Sequence, residues 1–312
     1  IKHPQIKIDV PESGMSKPKE FWKTFQKDTL DLRRIPTYTS LDSLSEAEKI
    51  EHRLLLGRKI INGYFPINVV DVDLRSIIKY NNYEGFRLGI GGVTNTKLSD
   101  KYKIGGFVGY GLKDNKLKFG ITPSYLLEKE INTWVSASYT DDLKEIGQIQ
   151  FATESKRFRF KIYDPRPINI STFYNHKTFS AFIESKYFDK TETYFSISRS
   201  QIQPLFDYTF KLNDNSYTNY NLTTFQFSLQ WNPFSTYMQT PTGRLEIEKK
   251  YPKLALQYTK SISSLLGSDF DFSKIDFRIT HEIPHLTGHT TSFILQGGFA
   301  FGEVPLTNLY SV

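Results

Sequence analysis

The 312-residue sequence has no cysteine, only two methionines and no run of about 18 consecutive apolar residues. Without cysteine, the chain has no disulfide, no catalytic thiol and no zinc–thiolate site. Without a long apolar run, it has no transmembrane helix. A transmembrane β-barrel is compatible with these absences, because its strands alternate lipid-facing and lumen-facing residues and so have the mean hydropathy of a soluble protein.

Dense blocks of one charge are also missing. The formal net charge is +7, but Lys and Arg are interleaved with acidic residues, as in RLEIEKK at 244–250. A surface that tracks a phosphate backbone needs clustered basic residues, so nucleic acid is not an expected partner. The charges indicate a solvated surface, and attraction to anionic lipid head groups is the alternative interpretation.

Aromatic residues, in contrast, are abundant, with 25 Phe, 19 Tyr and three Trp. Aromatic side chains favour strands, and they also form the girdles of a transmembrane barrel at the two membrane interfaces. A soluble all-β protein with a large aromatic core is the other class that this composition allows.

The first 63 residues have no strand-like pattern. Residues 1–40 contain four prolines and are predicted to be extended, with a short helix at 18–27. A second helix is predicted at 46–62, because Ser45 and Glu48 have capping-box spacing and Gly63 follows as a stop. We therefore interpret residues 1–63 as an extended and helical lead-in, periplasmic or plug-like.

From residue 64 the apolar residues recur with a period of two. Strands are predicted at 68–74, 83–93, 101–111, 116–126, 131–140, 178–188, 193–200, 221–231, 274–283 and 292–301. Many are about ten residues long, as a tilted transmembrane strand requires, whereas strands of ordinary sheets average about 5–6 residues. The predicted fold is all-β: an antiparallel up-and-down transmembrane β-barrel, partial or complete, formed by residues 64–312.

The connections between these strands differ in length. Those near 141–147, 163–177, 204–219 and 232–243 are long and polar and are predicted to be extracellular, with Asp141 and Asp142 solvated or contacting a cation. The turns at 112–116 and 189–191 are short, as periplasmic turns are. No further strand is predicted after the last one. We therefore expect either that the last strand pairs with the first or that the barrel lacks its C-terminal strands. We also expect the native polypeptide to extend beyond both ends of this sequence.

Two glycine-rich stretches lie in predicted strands, at 89–92 and 105–111. They lack the strand–loop–helix context and the Lys-Ser/Thr ending of a phosphate-binding loop. Glycine in a barrel strand relieves curvature or lets another element approach closely. These glycines are therefore predicted to have one of these structural roles, and room for a plug or an inserted loop is the more specific version of the prediction.

The stretch YNNYEGFRLGIGGVTNTKLSDKYKIGGFVGYGLKDNKLKFG, which begins at residue 80, resembles the barrel start of a Gram-negative outer-membrane family of unknown function. The segments KEFWKTFQ, SLDSLSEAEK, NGYFPINVVDVDL and GHTTSFILQGGFAFGEVPLTNLYSV are similar to the same family. Its large members place a carboxypeptidase-regulatory-like domain before the barrel, so we expect these 312 residues to be a fragment of a longer polypeptide. The N–EG–R–G element is also similar to barrels of the outer-membrane assembly-factor, or bacterial surface antigen, superfamily.

The resemblance implies a protein of the cell outer membrane, in contact with lipids and lipopolysaccharide and with other envelope proteins in a complex. We expect a component of a machine for outer-membrane protein assembly or surface export, and a passive porin-like solute channel is the alternative. The family has no established active site to carry over. We therefore expect no enzyme, no catalytic, cofactor-binding or metal-binding residue, and no cofactor.

One short motif in the sequence is typical of metal-dependent catalysis. His281, Glu282 and His285 spell the HExxH signature of zinc proteases, which requires a helix to bring two histidines to one ion. Pro284 would break that helix, and the preceding residues alternate as a strand, in which positions four apart are about 13 Å from each other. A membrane-embedded metallohydrolase, with His289 as a third ligand, is kept as a remote alternative.

Overall fold

The computed structural model describes residues 56–310, except 58, 61, 148, 154–171, 213–214, 241–242 and 287. The chain divides into two units, Ile1–Gly57 and Arg58–Val312, and the sheet belongs to the second. Of the predicted helix at 46–62, residues 56–57 and 59–60 are described and are helical. The rest of that helix and the predicted lead-in at 1–40 lie outside the described residues.

Seventeen strands are formed in this part of the chain. They are β1 (Tyr64–Ile67), β2 (Val70–Asp73), β3 (Ile78–Asn81), β4 (Gly85–Thr94), β5 (Tyr102–Gly111), β6 (Leu117–Glu128), β7 (Thr133–Glu145), β8 (Phe173–Ser185), β9 (Thr191–Pro204), β10 (Phe210–Leu212), β11 (Asn215–Tyr217), β12 (Tyr220–Trp231), β13 (Thr236–Thr240), β14 (Gly243–Glu248), β15 (Lys253–Ser261), β16 (Phe272–Pro284) and β17 (Thr290–Gly302). Short 3₁₀ helices lie at Leu74–Ser76, Leu265–Gly267 and Leu306–Asn308.

Thirteen of these strands form one antiparallel up-and-down sheet in the order β1-β2-β4-β5-β6-β7-β8-β9-β12-β15-β16-β17, with β3 paired to β4 beside β2. The hairpins β10–β11 and β13–β14 branch from the connections on either side of β12. Within the described residues the sheet is open, because β1 and β17 do not pair with each other. An all-β antiparallel sheet is thus confirmed, and no helix of the described residues is long and apolar enough to cross a membrane.

One face of the sheet is apolar and exposed. In adjacent strands from β5 to β17, register places the following residues directly opposite one another: Tyr102, Tyr125, Val135, Ile183, Phe195, Phe227, Tyr258, Ile275 and Phe299. Apart from Val135, these side chains are 38–59% exposed. A row of large apolar side chains therefore crosses nine neighbouring strands without a covering layer among the described residues. We call this surface the apolar face.

The opposite face, which we call the polar face, carries hydroxyl groups that pair across strands. The oxygen atoms of four such pairs are 2.6–2.8 Å apart: Ser124–Ser136, Ser138–Ser180, Thr178–Ser200 and Ser198–Thr224. Each hydroxyl can donate one hydrogen bond and accept others, so paired hydroxyls satisfy one another where water is scarce.

The polar face is the concave side of the sheet. Arg87 on β4 contacts Asp142 on β7, with 2.7 Å between Nη1 and Oδ1, although two strands separate them. In a flat sheet these strands would be about 14 Å apart, so the sheet curls. The curl also brings residues of β7 and β16 to the lining of one cavity.

An aromatic core closes one end of the polar face. Phe270 is fully buried and packs edge-to-face against Phe210, Tyr217 and Tyr220, with ring centroids 4.7–5.2 Å apart. These rings come from the β9–β12 connection, the first residue of β12 and the β15–β16 connection. All of these lie at the same end of the sheet because every hairpin reverses the chain direction.

Several boundaries differ from the sequence prediction. Of the predicted strand at 68–74, residues 70–73 are strand β2, whereas residues 68–69 are the turn of the β1–β2 hairpin. Asn68 in that turn adopts a positive φ of 51°, a conformation that Asn tolerates better than most residues. The predicted connections at 141–147 and 163–177 are partly strand, because β7 runs to Glu145 and β8 begins at Phe173.

The prediction that the long connections lie at one end of the sheet and the short turns at the other is also wrong. The short turn at 112–116 lies at the same end as the long β7–β8 and β9–β12 connections, whereas the β12–β15 connection lies at the other end with the turn at 186–190. Strand β15, which the prediction missed, alternates like its neighbours but is only nine residues long.

Candidate functional site

The N–EG–R–G element forms the turn between β3 and β4 and the start of β4. Asn81 shapes this turn, because its Oδ1 accepts the backbone N–H groups of Tyr83 and Glu84 at 3.0 and 2.8 Å. Gly85 follows with a φ of +66°, which glycine adopts without strain. The turn therefore directs the Glu84 side chain beneath the polar face.

Glu84 is completely buried at the centre of an ion cluster. Its carboxylate oxygens lie 2.7 Å from Arg87 Nη2 and 2.6 Å from Lys118 Nζ. Arg87 also pairs with Asp142, and Lys118 with Asp114. We call these five residues the ion cluster; it joins the β3–β4 and β5–β6 turns to strands β4, β6 and β7.

The pKa of Glu84 reflects two opposing effects. Burial alone would raise the pKa of its carboxyl group, but hydrogen bonds from Lys118, Arg87 and Asn81 outweigh burial and hold the pKa below its ordinary value. A carboxyl whose pKa is lowered on folding contributes stability that is present above its unfolded pKa. That contribution is lost as the pH falls through the lowered folded-state pKa.

A close approach of another element, one of the predicted roles of the glycines, is observed at β4. A Cβ atom on Gly91 would lie 3.0 Å from Ser76 Oγ, and one on Gly89 would lie 3.0 Å from the Ser76 carbonyl oxygen and 2.5 Å from that of Val108. The 3₁₀ helix at Leu74–Ser76 thus packs on the polar face where side chains are missing. Its Ser76 hydroxyl donates to the Asp73 carbonyl at 2.6 Å.

The segment that follows β7 returns across the polar face. Gln257 on β15 donates to the Gln150 carbonyl at 3.1 Å and accepts the Ala152 N–H at 3.0 Å. Arg278 on β16 donates to the Ile149 carbonyl at 3.1 Å, and its guanidinium carbon lies 4.8 Å from the ring centre of the buried Phe151. Residues 149–153, which we call the inner segment, therefore occupy the concave side.

The chain after β17 also turns inward. Tyr310 donates to Asp276 Oδ1 at 2.5 Å, and Thr307 and Tyr220 share a hydroxyl–hydroxyl bond of 2.5 Å. A parallel bridge joins Tyr310 to Gly147, next to the inner segment. These contacts place residues 303–310, the terminal segment, against the polar face.

Two kinds of space remain on the polar face. Cavities of about 540 and 440 Å³ share Lys103, Trp134 and Glu184 in their linings, and Lys103 Nζ lies 3.9 Å from the centre of the Trp134 ring. A separate cavity of about 260 Å³ lies between the inner and terminal segments. The polar face is therefore partly filled by the protein's own chain.

The HExxH string lies at the end of β16 and in the turn after it. Glu282 accepts a short hydrogen bond from Tyr251, and His285 Nε2 lies 2.8 Å from Thr291 Oγ1. His281 and Glu282 are adjacent strand residues, so their side chains point to opposite faces. Among the described residues no group of three or more His, Cys, Asp or Glu side chains is arranged to hold a metal ion.

The ion cluster was only partly visible in the sequence. The N–EG–R–G element carried the resemblance, and a cation contact for Asp142 was one of its two predicted environments. Arg87 is that cation. No sequence motif marks Lys118 or Asp114 as site residues, because only strand register and the β5–β6 turn bring them to Glu84.

The fold and the cluster define an all-β protein whose polar groups face the inside of a curled sheet. The chain belongs to the family of unknown function DUF5686, whose C-terminal domain model matches residues 53–303. That match covers the whole described sheet from β1 to β17. No curated protein and no solved structure matches the chain.

We expect Lys118→Met to lower the free energy of unfolding by about 3–5 kcal/mol, because it leaves buried Glu84 and Asp114 without a cation that both contact. Lys177→Met is the matched control: Lys177 is 58% exposed and 3.7 Å from Asp141, and an exposed pair contributes no more than about 1 kcal/mol. Urea unfolding in detergent micelles measures both. Equal losses in the two variants would show that the ion cluster has no special importance.

We expect Glu282→Gln to leave stability and any cellular phenotype nearly unchanged, because the amide can still accept the hydrogen bond from Tyr251. Atomic absorption on the purified protein provides the second measurement. Stoichiometric zinc in the wild type, together with lost activity in Glu282→Gln, would contradict the strand interpretation.

Proposed function

We propose that this chain forms a transmembrane β-barrel wall in the cell outer membrane, with the apolar face against lipid. The observation that carries the proposal is the reversed polarity of the sheet: hydroxyl pairs and buried ions lie inside, and a row of exposed aromatic and aliphatic side chains lies outside. A soluble monomer rarely exposes a contiguous apolar patch larger than a few hundred Å². Contact with lipid removes the unfavourable exposure of this apolar surface to water.

The strand lengths support the same proposal. The eight strands β5–β9, β12, β16 and β17 contain 10–14 residues each, and a tilted strand needs about 9–11 to cross the hydrocarbon core. The apolar face also carries Lys177, Arg199 and Lys260 toward the end where the aromatic core lies. Cations at that level suit the phosphate groups of lipids and lipopolysaccharide.

A component of an envelope machine, for outer-membrane protein assembly or surface export, is the function we favour. The ion cluster contains Glu84 and Arg87 of the N–EG–R–G element, which resembles the assembly-factor barrels. A passive solute channel needs a clear lumen, and the inner and terminal segments occupy the polar face. Other envelope proteins are the partners that such a machine requires.

Phe227→Arg tests the lipid contact, because Phe227 lies on the apolar face near the middle of β12 and is 42% exposed. An arginine near mid-membrane costs about 2–4 kcal/mol, so we expect impaired folding into phospholipid vesicles, while Phe227→Leu folds normally. On a soluble surface the change to arginine would cost about 0.5 kcal/mol or less. A folded wild-type monomer in buffer without detergent, with Phe227→Arg equally stable, would overturn the proposal.

Depletion of the protein from its native cells distinguishes a role in protein assembly or export from a role as a passive solute channel. We expect the amount of other folded outer-membrane or surface-exposed proteins to fall while their synthesis continues. Quantitative proteomics of isolated outer membranes, with a solute-uptake assay in parallel, measures both effects. Reduced uptake with an unchanged outer-membrane proteome would favour the channel instead.

A further inference from the structure

The cavity of about 260 Å³ is built by walls that come from distant parts of the sheet. Lys144 enters it from β7, and Lys274 enters it from β16, with four strands between them in the sheet order. The curl of the sheet therefore brings the two lysines to one space. Lys144 lies close enough to act electrostatically on both Lys274 and His176.

Neither lysine is neutralised by an ion pair within the described residues. Lys144 is exposed to the cavity, and Lys274 Nζ lies 4.5 Å from the centre of the Tyr310 ring. Asp276 attracts Lys274 but is held by neutral donors, with Tyr310 on Oδ1 at 2.5 Å and Gln257 on Oδ2 at 3.4 Å. Glu145 is the other carboxylate of the lining.

The remaining lining is rich in neutral hydrogen-bonding groups. Hydroxyl and amide side chains are contributed by Thr178, Ser198, Ser200, Thr224, Gln226 and Thr259. Hydroxyl and ammonium donors from several directions suit the oxygen atoms of a tetrahedral or planar oxyanion. The volume accepts a small solute, and its polar lining opposes the acyl chains of a lipid.

We propose that this cavity binds a small soluble oxyanion, a phosphate or carboxylate group, between Lys144 and Lys274. The two ammonium groups approach the anion from opposite walls, and the hydroxyls of β8, β9, β12 and β15 complete its hydrogen bonds. Because the inner segment and the terminal segment both border the cavity, the bound anion also holds these segments in place. This site goes beyond the proposed membrane function and does not depend on it.

Calorimetric titration of the detergent-solubilised protein with inorganic phosphate, in a buffer free of other oxyanions, tests the site. We expect saturable binding to the wild type. Lys144→Met and Lys274→Met should each weaken it at least about tenfold, a loss of about 1.4 kcal/mol. Lys274→Arg keeps the charge and should bind within about tenfold of the wild type, and Lys101→Met, at an exposed residue outside the cavity lining, should bind normally.

No phosphate binding to the wild type, or equal weakening by Lys101→Met, would overturn the site. Folding into vesicles is measured on the same variants. Normal insertion of variants that bind no phosphate supports a ligand site separate from the membrane function. If the wild type inserts normally but binds no phosphate, only the anion site is contradicted. If no protein inserts but phosphate binding is intact, only the membrane proposal is contradicted.

Discussion

Polar groups turned to the inside of a curled sheet are the constraint on which the other features depend. A buried donor or acceptor without a partner costs about 1–3 kcal/mol, so each inward side chain needs a partner on a neighbouring strand. The hydroxyl pairs provide such partners between adjacent strands. Where charges replace hydroxyls, the Arg87–Asp142 contact reaches past two strands and fixes the curl. The same curl creates the space that the inner and terminal segments occupy.

The sequence predicted the strands because alternation is a local property. In 221–231, each side chain's face follows from its own position, and β12 has nearly those bounds. The hairpin at 67–70 was missed because Val69, Val70 and Val72 prolong an apparent strand, while the reversal depends on the positive φ of Asn68. The end of β7 was missed because its charged residues resemble a loop until register places Asp141 opposite Lys177.

The candidate site was less predictable because its contacts are made with backbone atoms or across long stretches of sequence. Arg278 and Gln257 hold the inner segment through the carbonyl groups of Ile149 and Gln150, and every residue offers a carbonyl. The side chains of Ile149 and Gln150 therefore do not show that their carbonyl groups are the acceptors. The glycines of β4 were a usable signal, since a missing Cβ marks where another element approaches, and Ser76 is that element.

The ion cluster and the segments on the polar face are held by interactions of unequal strength. Buried ion pairs cannot lose one member without leaving an uncompensated charge, at a cost of about 3–5 kcal/mol. The inner segment is held by hydrogen bonds that each contribute about 0.5–1.5 kcal/mol net, together with the burial of Phe151. The ion cluster therefore fixes the curl of the sheet, whereas the inner segment is held by several weaker contacts that act together.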